Sequence, residues 1–320
     1  MLPLFDKPQI GSLPREEFSH RLRRFAGESI FIGTSSWKYP GWLGSVYTDD
    51  AYRGRSRFSE RKFNETCLSE YAEVFPAVGG DFSFYRFYDA AFWQRLFAQV
   101  PPQFQFGLKV PQEITTKVWP SLRRHGAHAG QTNSSFLDAE LLRREFLDVL
   151  TPHRHQVGTL MFEFGNFSRR IYPNGVREFA GELDRFLGEL PSGFRYAVEI
   201  RNEEFFDPHH FDVLKRHNVA HVFNSWTKMP SIGEQFAMDE AYTADFTVCR
   251  ALLRPGRGYK EAVRQFEPYE QVQEPYPEGR EALTSFVSRA REHSTRTLVF
   301  VNNRLEGNAP GTIAALIGGV

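Results

Sequence analysis

Residues 158–201 read GTLMFEFGNFSRRIYPNGVREFAGELDRFLGELPSGFRYAVEIR. The stretch opens on an apolar, β-prone run at 158–164 and closes on a second such run at 196–201. Between them a helical pattern covers 175–190, and Pro191 marks its end. A strand, a helix and a strand in this order are typical of a parallel βαβ unit, which predicts an α/β protein.

The same alternation of strand and helix recurs along the chain. The predicted strands cover residues 30–34, 82–87, 105–110, 158–164, 196–201, 219–224, 246–252 and 297–302. The predicted helices cover 59–75, 89–99, 134–150, 175–190, 208–217, 231–239, 278–293 and 309–318. Repeats of this kind are the pattern of a (β/α)₈ TIM barrel. We therefore expect a barrel domain at residues 28–320, preceded at 1–27 by a short N-terminal extension made of a tail and a helix.

An open, doubly wound sheet is the rival architecture for alternating strands and helices. It normally carries a glycine-rich fingerprint after its first strand, because the backbone there must approach a pyrophosphate closely. Here the first strand runs into GTSSWKYPGW, residues 33–42, which lacks the G-x-G-x-x-G spacing. The long connections after the first, third and seventh strands would instead build the functional face of a barrel.

The composition is that of a globular chain without a marked preference for a charged partner. Lysine plus arginine and aspartate plus glutamate each number 39, so the formal net charge is zero. This balance gives no global field that attracts nucleic acid or an anionic membrane. Only Cys67 and Cys249 are present, which argues against a disulfide scaffold and fits a reducing compartment. With no secretion signal and no long apolar run, we expect a cytoplasmic localisation and no membrane partner.

Polar side chains fall at the carboxyl ends of the predicted strands. Side chains alternate between the two faces of a strand, so Gly107 and Lys109 share one face, as do Glu199 and Arg201. In strands buried on both faces, charges are expected only where the last inward residue reaches the mouth of the barrel. The candidate catalytic and ligand-binding residues that outline this mouth are Lys109, Glu163, Glu199, Arg201, Asn224, Arg250, Asn302 and Asn303.

Two aromatic residues complete the candidate ligand site. Trp37 follows the first strand in the segment SSWKYPGW, where it either forms a wall of the pocket or packs its loop onto the rim. Tyr85 lies in the predicted second strand, within the segment FSFYR. Most of the other aromatic residues are expected to pack in the core.

The charge at this mouth favours an anionic ligand. Lys109, Arg201 and Arg250 stand against Glu163 and Glu199, an excess of one positive charge. Arginine binds phosphate or carboxylate through two parallel hydrogen bonds. Glu199 or Glu163 would then transfer a proton. The alternative is an ion-pair network that only fixes the register of the strands and closes the barrel.

Two other chemistries have weaker support. A common arrangement in barrel glycosidases has carboxylates at the ends of the fourth and seventh strands, whereas the seventh strand here ends in Arg250. A metallohydrolase needs clustered histidine and carboxylate ligands, but His153 and His155 precede a strand and so lie at the other end of the barrel. We predict no metal site made by the protein alone. Mg²⁺ bound through a substrate phosphate stays open, and the cofactor is unknown.

Six segments, taken in order, resemble the successive motifs of the YecE-like family, which is catalogued as a domain of unknown function. They are GTSSWKYPGW (33–42), FSFYR (82–86), FQFGLKVPQEIT (104–115), VEIRNEEFF (198–206), TADFTVCR (243–250) and FVNNRLEGNAP (300–310). The resemblance covers nearly the entire predicted barrel and implies a TIM barrel similar to those of xylose isomerase and endonuclease IV. It implies no assigned activity, although nucleic-acid binding is among the suggestions for the family.

Three positions depart from the family pattern. The family has a glutamate before its F-Y-R segment, where residues 78–81 of this chain read VGGD. It has glutamine in place of Glu163 and histidine in place of Asn202. We hypothesise that Glu163 offsets the carboxylate missing from the second strand and keeps the charge of the pocket roughly constant.

The leading hypothesis is an enzyme that acts on a small anionic or phosphorylated ligand at the C-terminal mouth of the barrel. One alternative is a noncatalytic module that binds nucleic acid or a protein partner through the same mouth and the aromatic first loop. A second alternative is a metal-assisted phosphodiesterase that resembles endonuclease IV. The sequence indicates no oligomeric state.

Overall fold

Eight parallel strands close into a barrel in the computed structural model, which describes residues 9–54, 57–165 and 167–319. The strands are β1 (Ile30–Thr34), β2 (Ala77–Gly80), β3 (Gln105–Lys109), β4 (Val157–Phe164), β5 (Tyr196–Ile200), β6 (Ala220–Asn224), β7 (Phe246–Ala251) and β8 (Arg296–Val301). Each strand pairs with the next, and β8 pairs with β1 to close the barrel. The predicted α/β TIM barrel is confirmed. Residues 1–8 of the predicted extension lie outside the described residues.

Helices cover the outside of the barrel. They are α1 (Arg15–Gly27), α2 (Glu60–Val74), α3 (Ala90–Phe97), α4 (residues 139–150), α5 (Val176–Glu189), α6 (Pro208–Arg216), α7 (Ile232–Phe236), α8 (Tyr259–Phe266), α9 (Pro277–Glu292) and α10 (Ala309–Gly318). Within α4 the chain is α-helical at Ala139–Leu142, π-helical at Arg143–Leu147 and α-helical at Asp148–Leu150. Single helical turns lie at Pro40–Trp42, Asp49–Tyr52, Asp81–Tyr85, Gln112–Thr115, Thr151–His153, Glu203–Phe205 and Asp239–Ala241.

The helix boundaries follow the capping residues. The side chains of Asp89 and Asp207 accept backbone hydrogen bonds at the starts of α3 and α6, as the sequence indicates. The helix predicted at 134–150 begins later, at Ala139, because Asp138 caps it there. The loop after β7, for which we predicted no helix, contains α8.

The second strand is β2 at Ala77–Gly80, so the predicted strand at 82–87 is wrong. Residues Asp81–Tyr85 form a 3₁₀ turn instead. The correction moves the carboxyl end of the second strand back to Gly80. Asp81 therefore comes directly after this strand, at the mouth of the barrel.

The composition of β2 explains why its position was missed. A Cβ at Gly79 would lie 3.2 Å from the Cα of Ser35, and one at Gly80 would lie 2.8 Å from Leu108 Cδ2, so the strand is tightly packed and contains two glycines, which are atypical of strands. The aromatic segment at 82–87 that follows has a composition more typical of a strand, and the strand was predicted there. Its first aromatic residue, Phe82, packs against Trp37 and Trp93 outside the barrel interior.

Apolar side chains fill the lower part of the barrel interior. They are Phe31, Ala77, Met161, Ala197, Ala220, Val222, Phe246, Val248, Leu298 and Phe300. The ring of Phe300 lies beside Gly107, where a Cβ would come within 2.5 Å of it. Lys109 is two residues further along the same face of β3, so its side chain lies at the mouth above this layer.

The N-terminal helix α1 packs along the outside of the barrel. Phe18, Leu22 and Phe25, which are at helical spacing in the sequence, are all buried. The helix contacts β1, α2 and α10. Neither α1 nor any other helix in the described ranges is both long enough and apolar enough to cross a membrane.

Candidate functional site

Six charged side chains meet at the carboxyl ends of the strands, above the apolar layer. They are Asp81, Lys109, Glu163, Glu199, Arg201 and Arg250, which we call the mouth cluster. Five of the six are residues that the sequence predicted for the site. Charged groups at this depth stay ionised only when opposite charges and hydrogen bonds replace the lost water.

Arg250 lies at the centre of the mouth cluster. Its Nη2 donates to Asp81 Oδ1 at 2.9 Å, and its Nη1 donates to Glu163 Oε2 at 3.2 Å and to Glu199 Oε2. The guanidinium therefore reaches from β7 to residues of β4, β5 and the end of β2. Arg250 is 1% exposed and Glu199 is fully buried, so this part of the cluster is closed to solvent.

Lys109 forms a second bridge across the cluster. Its Nζ lies 3.0 Å from Asp81 Oδ1 and 2.5 Å from Glu163 Oε2. The ring of Phe84 covers the ammonium group at 5.4 Å. Lys109 thus compensates two of the three carboxylates that Arg250 binds and adds β3 to the network.

Arg201 is the outermost cation of the cluster. Its Nη2 donates to Glu163 Oε2 at 2.6 Å and its Nε donates to Glu199 Oε1 at 3.0 Å. The guanidinium carbon lies 3.9 Å from the centre of the Trp226 ring, and the side chain keeps 15% of its exposure. Nη1 forms no hydrogen bond within the described ranges. Two carboxylates and an aromatic ring therefore fix the guanidinium plane and leave one nitrogen free.

The charge of the mouth cluster is balanced, which corrects the predicted excess of one positive charge. Lys109, Arg201 and Arg250 face three carboxylates, because Asp81 joins Glu163 and Glu199. Sequence reasoning missed Asp81 because it placed the second strand too late. Asp81 directly follows β2, so a correctly placed second strand would have identified it as a residue of the mouth.

The hypothesis about Glu163 is changed by the same finding. Glu163 pairs with Arg201, which also binds Glu199, so Glu163 lies beside both residues as the hypothesis needs. The glutamate of the family pattern is absent from residues 78–81, but Asp81 supplies another carboxylate directly after β2. Glu163 is therefore not the sole carboxylate that offsets the missing glutamate.

Electrostatics keep the outer carboxylates ionised. Burial opposes ionisation of Glu163, but Arg201, Lys109 and Arg250 outweigh it and hold its pKa well below the usual range. Burial also raises the pKa of Asp81, and Lys109 with Arg250 more than reverses this, so its pKa is lowered. Neither group can donate a proton at neutral pH while these cations stay in place.

The three predicted asparagines lie at the same end of the barrel but bind the backbone. Asn224 donates from Nδ2 to the carbonyl of Ile200 at 3.1 Å and accepts from the backbone N–H of Trp226 at 3.2 Å. Asn302 accepts from the backbone N–H that follows it by two residues, and Asn303 accepts from the start of α10. The asparagines shape the loops, and Asn224 positions the residue that stacks on Arg201.

The two predicted aromatic residues have different surroundings. Trp37 is 5% exposed and meets Phe82 edge to face at 5.7 Å, so it packs its loop onto the rim. It also lines a cleft of about 600 Å³ between α2 and α3, into which Asp81 and Lys38 face. Tyr85 is 57% exposed and lies outside both the cluster and the cleft.

Sequence reasoning also missed two residues on the rim, Arg304 and Tyr39. The guanidinium of Arg304 lies 4.4 Å from the centre of the Tyr259 ring, and its Nε is buried without a hydrogen-bond partner in the described ranges. Burial raises the pKa of Tyr39 to about 12, and Arg304 and Asp81 are both close enough to influence it. Arg304 directly follows the predicted residues Asn302 and Asn303, and this position in the sequence could have identified it as a residue of the rim.

The donor set at the mouth consists of carboxylates that are already bound to cations. Among the residues that the structure describes, no group of three or more histidine, cysteine, aspartate or glutamate side chains is arranged to hold a metal ion. Cys67 and Cys249 are buried as free thiols. Burial raises the pKa of the Cys67 thiol to about 12, which makes it unreactive at neutral pH.

Comparison with protein families and with curated sequences relates this chain to one family. The profile of the family described as protein of unknown function DUF72 matches residues 31–319. UPF0759 protein YecE of Escherichia coli is 25% identical over 178 residues, which are 55% of this chain and 50% of that protein. The chain thus spans about half the length of the curated relatives it matches.

Solved structures share the architecture at low sequence identity. A DUF72 family protein from Thermotoga maritima superposes with a TM-score of 0.60 at 19% identity, over 90% of this chain and 97% of the other. One from Enterococcus faecalis gives a TM-score of 0.59 at 15% identity, over 91% and 94% of the two chains. At these identities the likeness concerns the fold alone.

Proposed function

The chain belongs to the DUF72 family of proteins of unknown function, and from this premise we propose that its barrel mouth binds a small anionic ligand on which it acts as an enzyme. The ligand class is a small phosphorylated or carboxylated molecule. The observation that carries the proposal is the state of Arg201. Its guanidinium is held by Glu163, Glu199 and Trp226, and its Nη1 is free in the described part of the chain.

A fixed guanidinium is an efficient receptor for an oxyanion. Most of the side-chain entropy that binding normally costs is already lost, because three contacts define the plane. Two further cations on the rim, Arg304 and Lys38, form no ion pair with the described residues. The anionic preference therefore rests on these two outer cations and on the free nitrogen of Arg201, since the mouth cluster as a whole, with Arg201 included, is neutral.

The catalytic part of the proposal assigns proton transfer to Glu163 and Glu199. While Arg201 and Lys109 neutralise Glu163, it is too weak a base for this role. An anion that binds to the same cations weakens this neutralisation, and the pKa of Glu163 rises toward its usual range. The carboxylate then accepts a proton from the ligand, so binding itself activates the base.

A thermal-shift screen tests the binding proposal. Inorganic phosphate, sugar phosphates and small carboxylates are added to the wild type and to Arg201→Gln. Arg143→Gln serves as the control, because it removes one positive charge from an exposed pair with Glu140 on α4. We expect stabilisation of the wild type and the control, with loss of the effect in Arg201→Gln.

Other outcomes distinguish the alternatives. The binding proposal fails if no anion stabilises the wild type, or if Arg201→Gln responds as the wild type does. Salt-sensitive binding of oligonucleotides at the mouth would favour the noncatalytic alternative. Stabilisation that requires Mg²⁺ together with a phosphate ester would favour the phosphodiesterase.

A further inference from the structure

The opposite end of the barrel contains a cavity that the mouth does not reach. It has a volume of about 470 Å³, within the range of roughly 300 to 1,000 Å³ that small-molecule sites occupy. Its apolar lining comes from α1, α2 and the loops before β2 and β3, and includes Ala26, Phe31, Ala72, Phe75, Pro76 and Phe104. Phe31 belongs to the apolar cluster of the barrel interior and also lines this cavity, whereas no residue of the mouth cluster lines it.

The polar groups at this cavity are an arginine, a histidine and two neutral amides. Arg23, His155 and Gln105 line it, and its lining contains no aspartate or glutamate. The Arg23 guanidinium has a backbone carbonyl as its partner, that of Glu73 at 2.6 Å. Among the residues described, no carboxylate forms an ion pair with Arg23.

Arg296, the first residue of β8, lies behind this lining. Its guanidinium carbon is 4.5 Å from the centre of the Phe31 ring, and its Nη2 donates to Gln105 Oε1 at 2.7 Å. Its Nε is buried and has no hydrogen-bond partner within the described ranges. Phe31 and Gln105, which line the cavity, therefore hold the guanidinium of Arg296, and this guanidinium has no counter-ion among the described residues.

Arg296 is partly buried, and its environment is unusual for a cation. Burial, together with the nearby Arg195, lowers the pKa of its guanidinium to about 10. Buried guanidinium groups are normally paired with a carboxylate or an anionic ligand. Arg296 does not line the cavity itself, so an anion in the cavity would meet this requirement by replacing Gln105 as the partner of its Nη2.

We propose that this cavity is a second ligand site, for an amphipathic carboxylate whose apolar body packs against Phe31, Phe75 and Phe104 and whose carboxylate binds Arg296 and Arg23. The chemistry of the cavity selects this class of ligand. An apolar cavity without carboxylates repels a cationic ligand. A neutral hydrocarbon would leave Arg296 without a counter-ion. The site lies at the opposite end from the mouth cluster and is independent of the proposed function.

Calorimetric titration of the full-length protein with decanoate tests the site. Decanol, which has the same chain but no charge, and decyltrimethylammonium, which has the opposite charge, are the reference compounds. We expect saturable binding of decanoate, and binding of the other two that is at least about tenfold weaker, since a charge-assisted hydrogen bond to a buried group is lost.

Two variants locate the binding. Arg296→Gln should weaken the binding of decanoate at least about tenfold. Arg291→Gln, the control, removes a charge that is paired with Glu28 outside the cavity lining and should leave the affinity unchanged. If Arg296→Gln fails to fold, Ala72→Trp fills the cavity from α2 without touching Arg296 and should abolish binding.

Several results would overturn the proposal. They are no decanoate binding by the wild type, decanol binding as tight as decanoate binding, or unchanged affinity in Ala72→Trp. A dimer that Ala72→Trp converts to a monomer would identify the cavity as an interface between two copies and would also overturn it. Arg201→Gln should retain full decanoate affinity, so failure of the mouth proposal and failure of this one remain distinguishable.

Discussion

The Nη2 of Arg250 donates to Asp81 Oδ1 at 2.9 Å, which joins β7 to the residue after β2. Strands β2 and β7 are not neighbours in the barrel, so the pair spans its mouth. Arg250 and Lys109 face Asp81, Glu163 and Glu199 in an ionic floor under Arg201, and the charge of Arg201 brings the six groups to zero net charge. This floor is rigid because each charge has at least two partners or is fully buried.

The first prediction concerns the stability of this floor. Glu199→Gln should lower the free energy of unfolding by about 3 kcal/mol or more, because it leaves buried Arg250 and Arg201 undercompensated. Asp81→Asn should cost less, about 1 kcal/mol, because the Asp81 side chain is one-third exposed and water can replace part of its role. Urea unfolding measures both values, and equal losses would contradict this ranking.

The barrel architecture could be predicted from the sequence, but the position of one of its strands could not. Alternating strands and helices are encoded by local hydrophobic periodicity, which is why β4, α5 and β5 were placed within a residue or two. The strand β2 is encoded by a close backbone approach that only small residues allow, and no local pattern expresses it. The misplaced strand also hid Asp81, so the predicted charge of the site was wrong.

The second prediction concerns Trp226 and ligand affinity. Trp226→Ala should weaken anion binding by about fivefold, because a stacked ring contributes roughly 1 kcal/mol to the position of Arg201. Trp226→Phe should recover most of the affinity. Direct titration with the best anion from the screen measures the change. Equal affinities in the wild type and the alanine variant would show that stacking does not orient Arg201.

The third prediction arises from two buried histidines, His210 and His221. Their ring centres are 5.9 Å apart, and none of the four ring nitrogens forms a hydrogen bond in the described part of the chain. Burial lowers both pKa values, that of His221 to about 3, from the usual 6.5. The unfolded chain therefore takes up protons that the folded protein excludes.

Stability is fully present above pH 6.5 and is lost as the pH falls toward 3. Each histidine should contribute a slope of about 1.4 kcal/mol per pH unit in this window. His210→Phe should reduce the slope by half, whereas His209→Gln, an exposed control, should leave it unchanged. Asp81 and Glu163 have lowered pKa values, so their contribution is lost only below the usual carboxylate range. A flat stability profile down to pH ~5 would contradict the assignment.

The fourth prediction tests the layer that supports the site. Gly107→Ala places a methyl group within 2.5 Å of Phe300 and should cost about 1 to 3 kcal/mol. Phe300→Leu should relieve part of this cost in the double variant. Gly181→Ala on α5 is the matched control, because its Cβ meets nothing within 4 Å and the change should stabilise by roughly 0.5 to 1 kcal/mol. Equal effects at the two glycines would contradict the packing described.

The fifth prediction concerns the proton that accompanies binding. If an anion bound to Arg201 offsets part of the positive charge around Glu163, the pKa of Glu163 rises and the complex takes up a proton. Calorimetry in buffers of different ionisation enthalpy should detect this uptake near pH ~5. Glu163→Gln should bind the anion without proton uptake. Identical proton counts in the wild type and this variant would assign the proton to another group.

The residues of the mouth were identified better than their roles. Side-chain alternation in the strands placed Lys109, Glu199 and Arg250 correctly at the mouth. Asn302 and Asn303 directly follow β8 at the same end of the barrel, yet their side chains hold the backbone of the next loop. Local sequence does not distinguish an asparagine that ends a strand as a loop anchor from one that faces a ligand.

Direct measurement of phosphate affinity tests the central claim, that Arg201 is a fixed anion receptor. Inorganic phosphate is titrated at low ionic strength into the wild type, Arg201→Gln and the control Arg143→Gln. We predict measurable binding to the wild type and the control, and affinity at least about tenfold weaker in Arg201→Gln. Absence of phosphate binding in the wild type, or equal affinity in all three proteins, would contradict the claim.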